Sequence, residues 1–286
     1  MAKRRGTRSK AFKYFSYVTT AVAIGMLILI IYLVFVNGIP GLSFKFLFGK
    51  YNYDAESNTE SLTLLPSLIA TGYIILISLV IAVPIGVFCA IYLNEYTKKN
   101  NRLVKAIRFA IDILAGLPSI IFGLFGILVF CLFFNLQASI LAGALTMVFV
   151  ILPFIVRSTE EALKAVPDSL REASQALGAG KLRTVFVAVL PNAIPGIIAS
   201  VILSIGRLVG ESAVILLTLG GVINDVPKSI LSSGSTLAAT LYHLANNGDS
   251  QQAYATGVVL IVIVFLLNFL AYFIERKLSK GKLINE

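Results

Sequence analysis

The chain has 286 residues, of which 57% are hydrophobic and 13% charged, about half the charged share of soluble domains. A soluble protein of this length could not bury that much apolar surface. Composition therefore excludes an ordinary cytosolic enzyme, a disordered protein and a secreted disulfide scaffold, and leaves an integral membrane protein. The net charge of +10 would point to nucleic acid in a soluble protein; here it raises the question of where the basic residues fall.

Uncharged stretches locate the spans in chain order. They run from Tyr14 to Phe44, Ser61 to Asn94, Ile113 to Val156, Thr184 to Gly206 and Ser250 to Ile274. Lipid offers no partners for backbone N–H and C=O groups, so continuous runs of Leu, Ile, Val, Phe and Ala must be helices. The predicted spans are 17–36, 67–93, 109–134, 138–156, 192–219 and 255–274. The first follows a basic tail but is too long for a signal peptide and lacks a small-residue cleavage site, so it reads as a retained signal anchor. Asn37-Gly38-Ile39-Pro40-Gly41 then reads as a turn. The third uncharged stretch is too long for one passage, and Asn135 and Gln137 mark a turn between two helices. Between the last two spans, residues 235–246 are apolar enough for a short re-entrant or interfacial helix. The expected organisation is a basic tail, first span and external loop over 1–60, a transmembrane domain over 61–275 and a basic tail over 276–286.

Under this reading the basic residues sort by side. Lys3, Arg4, Arg5, Arg8, Lys10 and Lys13 precede span one. Lys98, Lys99, Arg102, Lys105 and Arg108 join spans two and three. Arg157, Lys164, Arg171, Lys181 and Arg183 join spans four and five, and Arg276, Lys277, Lys280 and Lys282 end the chain. The opposite side holds Lys45, Lys50 and Lys228. The positive-inside rule puts both termini in the cytoplasm.

The connection over residues 157–191 is too long for a turn. Pro167 should stop the preceding helix. Ser169 and Glu172 fit a capping box at the start of a short helix. Gly178-Ala179-Gly180 should end it, since glycine accepts the left-handed conformation of a helix stop. A basic amphipathic piece follows to Leu190, with Pro191 at the next span. This is a rigid knob tied to two spans, suited either to the groove of another protein or to the membrane surface. Gly178-Ala179-Gly180-Lys181 is not a Walker A loop: GxxxxGK[ST] needs glycine at 175 and Ser or Thr at 182, where the chain has Gln175 and Leu182.

Arg207 and Glu211 fall within predicted span five. Four residues apart, they would share one helix face. A charge at mid-bilayer costs about 2.5–3.5 kcal/mol on insertion scales, so such residues face a bundle interior or a water-filled path. Either they line an anion pathway, with Arg207 offering a planar donor fork to an oxyanion, or they clamp helices as a buried pair. Gly206 and Gly210 form a GxxxG step suited to close helix approach. Asp112, four residues after Arg108, reads as a local ion pair. Cys89 and Cys131 read as packed free thiols, and His243, the sole histidine, excludes a His-clustered metal site. No catalytic serine triad or carboxylate pair stands out.

Glu172-Ala173-Ser174, Gly178 and Leu190-Pro191 resemble the EAA loop of ABC importer permeases. Ala188 stands where that pattern often has isoleucine. Two further segments are similar to phosphate ABC transporter permeases of the PstA type: Leu114-Ala115-Gly116-Leu117-Pro118-Ser119 with Gly123-Leu124-Phe125, and Gly206-Arg207-Leu208-Val209-Gly210-Glu211-Ser212-Ala213 followed by Gly220-Gly221. The resemblance implies an all-α integral membrane protein of six transmembrane helices with a cytoplasmic coupling-helix loop, the MetI-like arrangement. It implies a transport subunit, not an enzyme. Glu172, Ala173, Ser174 and Gly178 would couple to an ATPase, and Arg207, Glu211, Ser119 and Ser212 would line the substrate pathway. The implied partners are a PstC-type permease, two PstB-type ATPase subunits that bind the ATP and Mg, a PstS-type extracytoplasmic binding protein and membrane lipid, with no cofactor in this chain. A permease for sulfate or molybdate, an ion-coupled secondary transporter and a membrane sensor remain open as alternatives.

Overall fold

A computed structural model describes residues 2–49, 52–54, 59–61, 63–97, 101–221 and 226–280. Helix α1 (Ala2–Gly38) leads through a 3-10 turn into α2 (Phe44–Phe48), whose N-terminus is capped by Ser43 Oγ accepting from Phe46 N at 3.1 Å. A short antiparallel hairpin, β1 (Asn52–Asp54) and β2 (Thr59–Ser61), is an addition to the expected helices. Helix α3 (Leu65–Ile91) ends in a π turn over Tyr92–Tyr96. Next come α4 (Arg102–Gly116) and α5 (Ser119–Gly126), the latter continued by a π segment over Ile127–Phe133. Helix α6 (Ile140–Lys164) precedes α7 (Asp168–Ala176) and α8 (Lys181–Arg183). A π segment (Thr184–Val189) leads into α9 (Leu190–Gly210), then α10 (Ala213–Thr218), α11 (Leu237–Asn247) and α12 (Ser250–Lys280).

Among the described residues, five helices are long and apolar enough to cross a membrane, and a bent pair, α4 with α5 and its π continuation, supplies a sixth span. The helix expected over 109–134, with a kink at Pro118, is broken at that proline, its halves bent by 101°. Leu117 (ψ 138°) and Pro118 (ψ 141°) are both extended, because proline lacks the N–H needed to continue a helix and disfavours the helical conformation in the residue before it. The turn expected at Asn135 and Gln137 is present, and both residues take left-handed φ angles of 52° and 53°. The helix expected over 235–246 is α11.

Helix α6 is the central post: 67% of its apolar window is buried, against 6% for α1. Its face toward α11 packs with Ile74, Ile215 and Leu219 around Met147 and Ile151. Its other half packs with Ile91 and Val189 around Val156 and Leu163. Close approach to α3 occurs at Gly86, where a Cβ would lie 2.6 Å from Ile155 Cγ2. Helix α1 meets the bundle at one end only, through Gly38, whose Cβ would lie 2.5 Å from Tyr254 O on α12.

The first-turn donors of α6, which have no partner within the helix, are met largely by loop backbone. Ile140 N donates to Ser232 O at 3.0 Å and Leu141 N to Ile230 O at 2.8 Å, while Ser139 Oγ accepts from Ala142 N. This removes the otherwise unsatisfied donors of a helix terminus from an apolar setting. Helix α11 is tied to α3 by hydroxyls: Ser67 Oγ and Thr240 Oγ1 lie 2.7 Å apart, and Leu237 N donates to Thr71 Oγ1. Cys89 is a half-buried free thiol; Cys131, also free, is buried and its Sγ lies 3.7 Å from Thr218 O.

The glycine contacts give a direct contrast. Gly86→Leu forces a shift of β-branched Ile155 and is expected to destabilise the chain by about 1–3 kcal/mol. Gly206→Leu, at a position with open space around it, should leave the thermal midpoint of the purified chain within error. Thermal unfolding in detergent checks both.

Candidate functional site

The first group of predicted site residues sits on α7. Val166-Pro167 stops α6, and Pro167 (ψ 138°) is itself the N-cap of α7, which starts at Asp168. The expected capping box is therefore not formed: Ser169 falls inside the first turn, no side chain caps the helix, and Glu172 is exposed. Physically, Pro167 needs no N–H partner and Asp168 places an acid in the first turn, where the helix dipole favours it. The helix ends as expected, with Gly178 at φ +81°. Glu172, Ala173 and Gly178 are exposed together and Leu177 is 90% exposed, while Ser174 turns inward, its Oγ 3.0 Å from Thr184 Oγ1. From Lys181 the chain runs as one 30-residue rod to Gly210.

Sequence reasoning missed what holds α7 in place. Arg171, on its inner side, donates to Glu95 Oε1 at 2.8 Å, to Leu163 O and Val166 O at 2.8 Å each and to Asp168 Oδ1 at 3.0 Å. The hydrogen bond and charge of Glu95 raise the Arg171 pKa further above its ordinary value, against the opposing effect of burial, so the guanidinium stays charged. The available signal was positional: Glu95 is the first charge after the long uncharged run of span two.

A second ionic cluster joins α4 to α6. Arg108 reaches Glu160 at 2.9 Å, Lys164 approaches the same carboxylate at 3.6 Å, and Asp112 pairs with Arg157. The local Arg108–Asp112 pair expected from their spacing is thus replaced by two pairs across helices. Glu160 lies on the largely buried face of α6 and draws in the longer Arg108 side chain.

The second predicted group sits where α9 breaks. Helix α9 stops at Gly210, and Glu211 (φ −81°, ψ 119°) is extended before α10 begins at Ala213. Arg207 and Glu211 therefore do not share a continuous helix face, and among the described residues no ion pair joins them. Arg207 is exposed and Glu211 half-buried. Arg207 has no hydrogen-bond or ion-pair partner among the described residues, and a Cβ at Gly206 or Gly210 would meet nothing within 4 Å. This strip of α9 is not packed inside the chain.

Alongside it, α5 and α10 run parallel. A Cβ at Gly123 would lie 3.3 Å from Val214 Cα, and one at Gly126 2.6 Å from Thr218 Cγ2. Ser119 is the first residue of α5, and Glu211 and Ser212 form the break between α9 and α10. No side chain caps α5. The structure thus sets Glu211 and Ser212 together at the break, Ser119 at the start of α5, and Arg207 on the open face, one turn away from the break. The coupling residues form a separate site at the other end of the rod.

Over residues 82–280 the chain matches the family described as binding-protein-dependent transport system inner membrane component. It is 32% identical over 279 residues to the probable ABC transporter permease protein YqgI of Bacillus subtilis (strain 168), with 92% of each chain covered. It is 35% identical over 258 residues to the phosphate transport system permease protein PstA of Yersinia pestis, covering 88% of this chain and 84% of that one. In structure it is similar to a chain of the MetNI methionine ABC transporter in an inward-facing conformation. The TM-score is 0.60 at 25% identity, over 74% of this chain and 93% of that one.

The Glu160 cluster should respond asymmetrically to substitution. Glu160 has a side chain 9% exposed, whereas Arg108 and Lys164 are 42% and 53% exposed. Arg108→Met leaves a buried carboxylate with only a long contact to Lys164 and is expected to cost about 3 kcal/mol. Glu160→Gln leaves half-solvated cations and should cost only about 1 kcal/mol. Denaturation of the two variants in detergent measures the difference.

Proposed function

Because the chain belongs to the family of binding-protein-dependent transport system inner membrane components, we propose that it is one permease subunit of an ATP-driven importer of inorganic phosphate. The likeness to PstA permeases over most of the chain carries the choice of phosphate. The paired breaks at membrane level give it a chemistry. Discontinuous helices place uncapped amide ends toward an anion while sparing it water. In this reading Arg207 attracts the phosphate with a permanent charge, Ser119 and Ser212 offer hydroxyls, and Glu211 limits how tightly the anion is held.

Arg207, Gly206 and Gly210 lie on an unpacked strip, and a second permease of the PstC type would close the pathway against it. A PstS-type binding protein would deliver phosphate to the connections over 37–66 and 220–254. Two PstB-type ATPase subunits would hold ATP and Mg, and one of them would receive α7 through Glu172, Ala173 and Gly178, while Ser174 holds the inner side of the helix to Thr184. The EAA-like surface fits this role, since its exposed residues include Leu177 at the apex. Both termini and α7 then lie in the cytoplasm, as the distribution of Lys and Arg favours.

Vesicles carrying the assembled transporter should take up radiolabelled phosphate only with ATP and the binding protein, and a tenfold excess of sulfate should not compete. Arg207→Ala should lower uptake about tenfold or more, as loss of a charged hydrogen-bonding group implies, and Glu211→Ala should lower it by slowing release of an anion held too tightly, both at unchanged membrane levels. Competition by sulfate would assign a different oxyanion, and normal uptake by both variants would remove these residues from the pathway.

A further inference from the structure

Helix α7 is joined to α6 only through the extended Val166-Pro167 link, which by itself would let it swivel. Three contacts oppose this. Arg171 uses its planar fork on acceptors from three places: the Glu95 carboxylate, both oxygens within 3.4 Å, the carbonyls of Leu163 and Val166, and Asp168 on α7 itself. Lys181, just beyond the glycine turn, lies over the ring of Tyr96 at 5.5 Å. Ser174 bridges to Thr184 at the start of the long rod.

Of these, the Arg171 contact is the shielded one. Its side chain is 16% exposed and that of Glu95 8%, so the charge-assisted bonds are little weakened by water. The carbonyl of Leu163 lies in the last turn of α6, where it accepts a long 3.4 Å bond from Val166 N, and that of Val166 lies just beyond the helix, where acceptors are short of intrahelical partners. Arg171 therefore satisfies the end of one span and the carboxylate of another from a single side chain. A lysine, with three donors and no fork, could not serve the same set. The π turn Tyr92–Tyr96 carries both Glu95 and Tyr96, so α3 receives the two contacts from either side of the glycine turn.

We propose that Arg171 and Glu95 are a positioning pair that makes α7 and the adjoining ends of α3 and α6 one rigid body, so that displacement of α7 is passed to both spans. This rests on the coupling role assigned to α7 above. The pair acts through the helix and touches neither substrate nor nucleotide.

Two measurements on the full-length chain test it. The first is amide hydrogen exchange over residues 168–177 in the purified protein. The second is phosphate taken up per ATP hydrolysed in vesicles with equal amounts of assembled transporter. Arg171→Gln should speed exchange about tenfold, the size expected for losing bonds to a charged group, and lower uptake per ATP by a similar factor while hydrolysis continues. Arg171→Lys should fall between that variant and the wild type. Unchanged exchange overturns the proposal, and so does faster exchange with wild-type uptake per ATP. If Arg171→Gln does not fold, Glu95→Gln keeps the shape and should show the same two effects at about threefold. If the wild-type vesicles take up no phosphate, the substrate reading fails, and the exchange data alone then decide the pair.

Discussion

Every backbone polar group inside a bilayer must find a partner within the protein, and this constraint organises the whole chain. Where the helices are continuous it is met for free. The chain nevertheless interrupts its helices twice, at Leu117-Pro118 and at Glu211-Ser212. It can do so because glycines let α5 and α10 lie against each other almost backbone to backbone, and because a loop supplies carbonyls to the start of α6. The interruptions are therefore held open by packing elsewhere, and they are the places where polar atoms can reach something other than the chain itself.

The two ends of the bundle solve different problems with different chemistry. Toward α11 the contacts are hydroxyls and apolar side chains, with Thr240, Ser67 and Thr71 tying short helices to long ones. Toward α7 they are ionic. Glu95 and Glu160 are both largely shielded: Glu95 pairs with Arg171 on α7, and Glu160 with Arg108 on α4 and with Lys164 one turn further along α6. Ionic pairs lose strength only slowly as partners shift and are demanding about charge, which suits an end of the molecule that is proposed to move against another protein.

Much of this was legible in the sequence. Spans could be found from charge gaps because a bilayer excludes charge over a fixed thickness, and the short helix α11, the turn at Asn135 and the stop at Gly178 followed from local composition. Breaks were harder. Pro118 announced a kink, but the bend of 101° comes from two consecutive extended residues, Leu117 and Pro118, where a proline inside a helix can also leave only a shallow bend. Glu211 looked like a partner for Arg207 because i,i+4 spacing assumes an unbroken helix, and nothing local in Val209-Gly210-Glu211 rules that out. Asp112 and Arg108 misled for a related reason: spacing describes neighbours on one helix and is silent about a shielded carboxylate on the next. Ser169 lost its capping role because Pro167 takes the N-cap position two residues earlier.

The 30-residue rod from Lys181 to Gly210 has a mechanical consequence. At about 1.5 Å per residue it is roughly 40–45 Å long, and it carries Thr184, beside α7, near one end and Arg207 near the other. A tilt of about 10° about one end would sweep the opposite end through some 7 Å, about one helix turn and a third. Such a lever magnifies a small stroke instead of absorbing it, and the break at Glu211 lies beyond the load. Gearing of this kind turns a modest rotation at one membrane face into a change of width at the other.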